Sequence, residues 1–250
     1  MDLGVLEGPG SRRAFSLIEL LVVIGVVAAL MGILVPVLSS VRSSGRRTEA
    51  LSNLRGAGVA FELYVGTYRS VYPFIAPGVF LQNRPPEDGP GNVRDSDPWA
   101  AFYAWCTVFH AVAPWHEHYA TWVNRGRLAG RGTPWDDEGS LVWPSFRYAT
   151  GFIARPEVWI DGADLPAAET APISQAEVRF PSAKALLFDA DRAYLGRDAR
   201  PADPRNVALA DGSAAGRLDA DAGPPAVNRF RGTTMTYHDT PEGVRGRDVR

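Results

Sequence analysis

The chain has 250 residues, 46% hydrophobic and 22% charged, which is enough to bury a core in one or two domains. A formal net charge of -2 and a pI near 6.1 provide no basic field for non-specific nucleic-acid binding, so nucleic acid is excluded as the expected partner. Cys106 is the only cysteine, which excludes an intramolecular disulfide; Lys184 is the only lysine, a bias that a GC-rich coding sequence explains.

The first strong element follows Arg12 and Arg13. From Leu20 to Leu38 the chain reads LLVVIGVVAALMGILVPVL, about 19 residues without a charge, the length of a membrane-spanning helix and apolar on every side. By the positive-inside bias the arginines place the N-terminus in the cytoplasm and everything after Leu38 outside, with one crossing. The competing reading is a secretory signal peptide, whose apolar region is normally about 7–15 residues and ends at an Ala-x-Ala-like site. No such site follows Leu38. Glu19 stands at the edge of the run, four residues after Phe15. A carboxylate deep in hydrocarbon costs about 2.5–3.5 kcal/mol, so Glu19 is a functional candidate.

The stretch Arg12-Arg13-Ala14-Phe15-Ser16-Leu17-Ile18-Glu19-Leu20-Leu21-Val22-Val23-Ile24 resembles the N-terminal cleavage and methylation motif of type IV prepilins and type II secretion pseudopilins. The resemblance implies that prepilin peptidase cuts between Ala14 and Phe15 and methylates the new Phe15 amine. Residues 1–14 are then a cytoplasmic leader. Ala14 departs from the glycine usual before the cut but keeps a small side chain. Pro36 falls where family members often carry a helix-bending proline; it removes one N–H bond. In the family, the glutamate matched by Glu19 pairs with the free amine of a neighbouring subunit, so that association neutralises a charge costly in lipid. Taken singly, a generic membrane-helix proline and a snorkelling glutamate are the plainer readings of these two residues.

Next in the chain, Leu51, Leu54, Gly58, Phe61, Val65 and Tyr68 recur at spacings of three and four, the stripe of an amphipathic helix. Ser43-Ser44-Gly45 loosens the join between the two halves. Asn53-Leu54-Arg55-Gly56-Ala57-Gly58, with Tyr68 and Val71-Tyr72-Pro73, also resembles the post-membrane region of that family. One helix is expected over 15–72, transmembrane at about 20–38, with a globular head over 73–250 that covers the stripe. Within the head, 83–98 reads as an exposed loop, and a helix is expected around Trp99–Val112, stopped by Pro114. Ser145–Ile153, Glu157–Ile160, Ala185–Phe188, Asn206–Ala210 and Ser213–Leu218 read as strands or hairpin arms. The expected fold class is α+β: a long N-terminal membrane-spanning helix packed against a C-terminal antiparallel sheet.

The segments Pro181–Asp189 and Asn206–Ser213 loosely resemble the end of large-headed prepilin-like proteins with a terminal His-x9-Asp-Gly motif. Pro201 stands where the histidine belongs, so Asp211-Gly212 reads as a hairpin turn. Cys106, His110, His116 and His118 are zinc-ligand types without the spacing of a recognised finger, and satisfied core histidines are the expectation. Asp211, Asp219 and Asp221 offer oxygen ligands to calcium, as in the heads of some pseudopilins, but lack EF-hand spacing and read first as a solvated acidic loop. No cofactor is expected. Among catalytic signatures, Gly-x-Ser-x-Gly, the P-loop, the dinucleotide fingerprint and His-Glu-x-x-His are all missing from the sequence. The expected function is a structural pilin or pseudopilin subunit of the bacterial inner membrane, with prepilin peptidase and other subunits as partners. The alternative is a tethered periplasmic binding or enzymatic domain that uses the segment for export.

Overall fold

The computed structural model describes residues 16–76, 80–81, 94–95, 98–109, 112–124, 143–189, 192–195, 200 and 202–249. The dominant element is helix α1, Leu17–Thr67, which runs without a break through Pro36 and through Ser43-Ser44-Gly45. Leucine, valine and alanine fill it, and its apolar content and length are sufficient to cross a membrane. Pro36 leaves the carbonyl of Gly32 without its usual helical donor. The Ser39 hydroxyl donates to the Pro36 carbonyl at 2.8 Å.

Chain contacts divide the protein after Ser44, so the second half of α1 belongs to the same unit as everything that follows. In the first unit the large apolar side chains from Leu17 to Val41 stand exposed. In the second, Ala50, Leu54, Ala57, Gly58, Ala60, Phe61 and Val65 are buried, the three-and-four rhythm of a single face. Of the expected stripe, Leu51 is only half-buried and Tyr68 is exposed, stacked on Tyr64 at 4.3 Å. The small residues at 50, 57, 58 and 60 let the head approach closely, which a count of large apolar residues overlooks.

The helix ends at Thr67, where Arg69 and Ser70 take positive φ values of 54° and 61° and turn the chain back. The Tyr72 amide then donates to the Ile173 carbonyl at 2.9 Å, and Val71 bridges Ser174. Strands β1 (Phe80–Leu81) and β2 (Arg94–Asp95) form a two-residue antiparallel pair. The rest of the expected 83–98 loop, apart from Pro98, lies outside the described residues. Helix α2 is Ala101–Val108, shorter than the Trp99–Val112 expected. Pro114 starts a second helix, α3 at Trp115–Trp122, because a fixed φ suits a helix N-terminus.

The head sheet has four antiparallel strands in the order β3 (Phe146–Tyr148), β4 (Ala185–Asp189), β5 (Arg205–Leu209) and β6 (Ala214–Arg217). Every residue of β4 is buried, as befits a central strand. Two expected strand segments are corrected. The strand begun at Ser145 stops at Tyr148 and passes into a 3-10 turn at Thr150–Phe152; Glu157–Ile160 lies largely in another, Pro156–Trp159. Pro156, with no amide hydrogen to give a ladder, starts that turn. Asp211-Gly212 does form the β5–β6 turn: Gly212 has φ 82°, and the Asp211 carboxylate accepts from the Ser213 amide at 2.9 Å and from its hydroxyl at 2.6 Å.

The second half of α1 lies on this sheet. Phe61 meets the rings of Phe109 at 4.6 Å, Tyr148 at 4.7 Å and Trp105 at 5.4 Å, and the Arg55 guanidinium donates to the Ala214 carbonyl at 3.0 Å. Gly216 leaves room for Arg47, whose guanidinium would lie 1.8 Å from a Cβ there and would have to shift.

Candidate functional site

Two places in the chain concentrate chemistry. The first is the start of α1. Ser16 precedes the helix, and its hydroxyl accepts the Glu19 amide at 3.2 Å, while Glu19 Oε2 accepts the Ser16 amide at 2.9 Å. This reciprocal pair is a capping box: it satisfies two of the amides that every helix start leaves without partners and sets a carboxylate at the positive end of the helix dipole. The spacing Ser-x-x-Glu is the sequence signal for it, alongside the charge that Glu19 carries. Ala14 and Phe15 lie outside the described residues. Pro36 lies inside α1, in its exposed stretch.

The second place is the base of β4. Lys184 is fully buried, and its ammonium lies 3.0 Å from Asp248 Oδ2 and 2.5 Å from the Thr240 hydroxyl oxygen. Thr240 in turn donates to Asp248 Oδ1, and the Ala185 amide donates to Asp248 Oδ2 at 2.9 Å. Asp248 is itself pinned, its amide donating to the Ala183 carbonyl at 2.8 Å. Gly151 makes the space: a Cβ there would stand 3.0 Å from the Lys184 nitrogen. Burial pushes the Lys184 ammonium below its usual range, against the opposing charges of Asp248 and Asp239.

Around this cluster lie two more buried ionisable groups. Asp239 accepts from Trp159 Nε1 at 3.1 Å, the Met235 amide at 2.8 Å and the Thr233 hydroxyl at 3.1 Å; burial nevertheless raises its carboxyl. His238 packs edge-on to Phe188 at 4.7 Å and Phe102 at 5.2 Å. Burial, then the positive charges of Arg147, Arg205 and Lys184, hold it down at about 3, so it is neutral in the folded head.

The expected metal-ligand groups are placed as follows. Cys106 is buried, and burial pushes its thiol up to about 12, which makes it an inert core residue. His118 stacks on Trp122 at 5.1 Å; His110 and the side chain of His116 lie outside the described residues. Asp211 is occupied by Ser213, and Asp221 is exposed. Asp219 is gripped by Arg192 at 2.6 Å and Arg205 at 2.9 Å. Partial burial pushes its carboxyl up, but the hydrogen bonds and charges of the two arginines outweigh this and hold it below the usual range. Among the described residues no three His, Cys, Asp or Glu side chains converge as a metal site.

No family model matches the chain, and neither the curated proteins nor the solved structures contain a significant match.

Proposed function

We propose that the chain is a structural subunit, a minor pilin or pseudopilin, of a type IV pilus or type II secretion pseudopilus. In this reading it spans the bacterial inner membrane once with its N-terminus in the cytoplasm, and prepilin peptidase frees Phe15. The observation that carries the proposal is the motif Arg12–Ile24 leading into α1, an apolar helix exposed on all sides for its first half and continuous with the element on which the head is built. An exposed apolar face of that size needs lipid, or lipid exchanged for like helices, around it. Nothing in the proposal requires catalysis by the head.

The capping box favours one rival reading. If Glu19 serves only to close the first turn of α1, the segment is an export anchor and the head is a tethered periplasmic domain. Charge and cap separate cleanly, because glutamine at that position still closes a capping box while carrying no charge. Glu19→Gln in the full chain should therefore insert and be processed normally yet lose incorporation into sheared or crosslinked filaments. Incorporation of this variant at the wild-type level would overturn pairing with the Phe15 amine, whereas absence of the wild-type chain itself from filaments would leave the tethered domain standing. Glu19→Ala removes cap and charge together and should lose incorporation in either kind of assembly.

A further inference from the structure

The Lys184 cluster has the parts of a bond-forming site. Its carboxylate and amine are held in contact, 3.0 Å apart, in a pocket closed to water: Lys184 is fully buried and the Asp248 side chain is 3% exposed. The ring of Phe152 covers the Lys184 nitrogen at 5.8 Å. We propose that Lys184 and Asp248 condense spontaneously into an isopeptide bond that ties the base of β4 to the C-terminal segment.

The chemistry balances without any co-reactant. Proton transfer from the Lys184 ammonium through the Thr240 hydroxyl to Asp248 Oδ1 gives a neutral amine and a carboxylic acid whose carbonyl oxygen is Oδ2. The nitrogen lone pair attacks Asp248 Cγ, forming the N–C bond. Charge that develops on Oδ2 is met by the Ala185 amide, already donating to that oxygen at 2.9 Å. The other oxygen, Oδ1, is the leaving group. Thr240 stands between it and the amine, accepting from the nitrogen and donating to Oδ1, and so relays a nitrogen proton to the departing oxygen. The C–Oδ1 bond breaks, one water leaves, and Oδ2 remains as the amide carbonyl. Reaction within a fixed contact needs no external activation of the acid, because the encounter is supplied by the fold.

Two further features fit this use. Lysine stands at this one position in a chain that otherwise uses arginine, and a guanidinium does not form such an amide under these conditions. Cys106 is the only cysteine, so the head has no disulfide with which to close its C-terminal segment. The proposal concerns the head alone and stands whether or not the chain assembles into filaments.

The test is a tryptic digest of the full chain, purified in detergent and fully denatured first. The linked protein yields a branched peptide: Phe180–Arg192, uncut after Lys184, joined through that side chain to Asp248–Arg250 and lighter than the two by one water. Tandem mass spectrometry locates the branch. Lys184→Met and Asp248→Ala should abolish it, and Thr240→Val should lower the linked fraction while both partners remain. Complete cutting after Lys184 in the wild-type chain, with a free Asp248 peptide, would overturn the bond whatever the variants do. A Thr240→Val chain linked as fully as wild type would overturn the relay.

Discussion

Along α1, Val22, Ile24, Leu30 and Ile33 stand exposed, whereas Leu54, Phe61 and Val65 are buried beneath the head. Both stretches are helical and both are rich in apolar side chains, yet they answer to different surroundings. In the first, apolar residues occupy every direction around the axis, so no single protein face can cover them. In the second, they fall on one stripe, and small residues at 57 and 58 flank the large ones so that aromatic rings from α2 and β3 reach the helix. The difference teaches that the angular distribution of apolar residues, more than their number, decides whether a helix seeks a fold or a membrane.

The sharpest way to break this comparison is a matched pair of truncations. Phe61→Ala removes a ring that touches three others and should cost the head about 3–5 kcal/mol, read as a lower denaturant midpoint. Leu30→Ala should leave that midpoint unchanged. Equal losses would mean that the first stretch is part of the folded unit.

A smaller effect belongs to the unit that buries the second stretch, and it depends on pH. His238 is neutral in the folded head and titrates near its usual 6.5 when unfolded, so the unfolded chain binds more protons between pH 6.5 and about 3. Its contribution to stability is complete above 6.5 and is lost as pH falls through that window. Asp219, held below its usual 3.8, adds a loss only in stronger acid, while Asp239, raised by burial, tilts the profile the other way above 3.8. Denaturation of wild type and His238→Phe at pH 7 and pH 5 isolates the histidine: wild type should lose more stability on acidification than the variant. A parallel response in both would show that His238 is protonated in the fold.

The smallest expected effect lies in the first stretch. Ser16→Ala should weaken the α1 N-terminus by about 1 kcal/mol, seen as faster amide exchange over the first turn with no change at the head. Unchanged exchange would remove the capping box from the account of Glu19.

How much of this was legible in the sequence follows from the range of the interactions. The membrane-length run, the stripe at 54–65 and the Asp211-Gly212 turn are local patterns, and strands β4, β5 and β6 fall within a residue or two of where alternation and turn residues put them. Glu157–Ile160 reads as strand because Val158, Trp159 and Ile160 are apolar and bulky, whereas Pro156 and the Val158 amide, bonded to the Arg155 carbonyl at 3.1 Å, close a tight turn. The Lys184 cluster was out of reach, since Thr240 and Asp248 lie 56 and 64 positions away. Only the solitary lysine hinted at it, and coding bias accounted for that. Arg192 and Arg205, the partners of Asp219, likewise come from separate segments, so an acidic loop in sequence became an arginine-held corner in the fold.

Burial of the only lysine also decides how these 250 residues meet amine-directed reagents. An activated ester added to the native chain finds no side-chain target, and its one remaining nucleophile of that class is the α-amine. The signal from such a dye is thus a report on the amino terminus alone, free of the background that surface lysines give in most proteins. In assembled and dissociated material the same label would read directly whether that terminus is open or held.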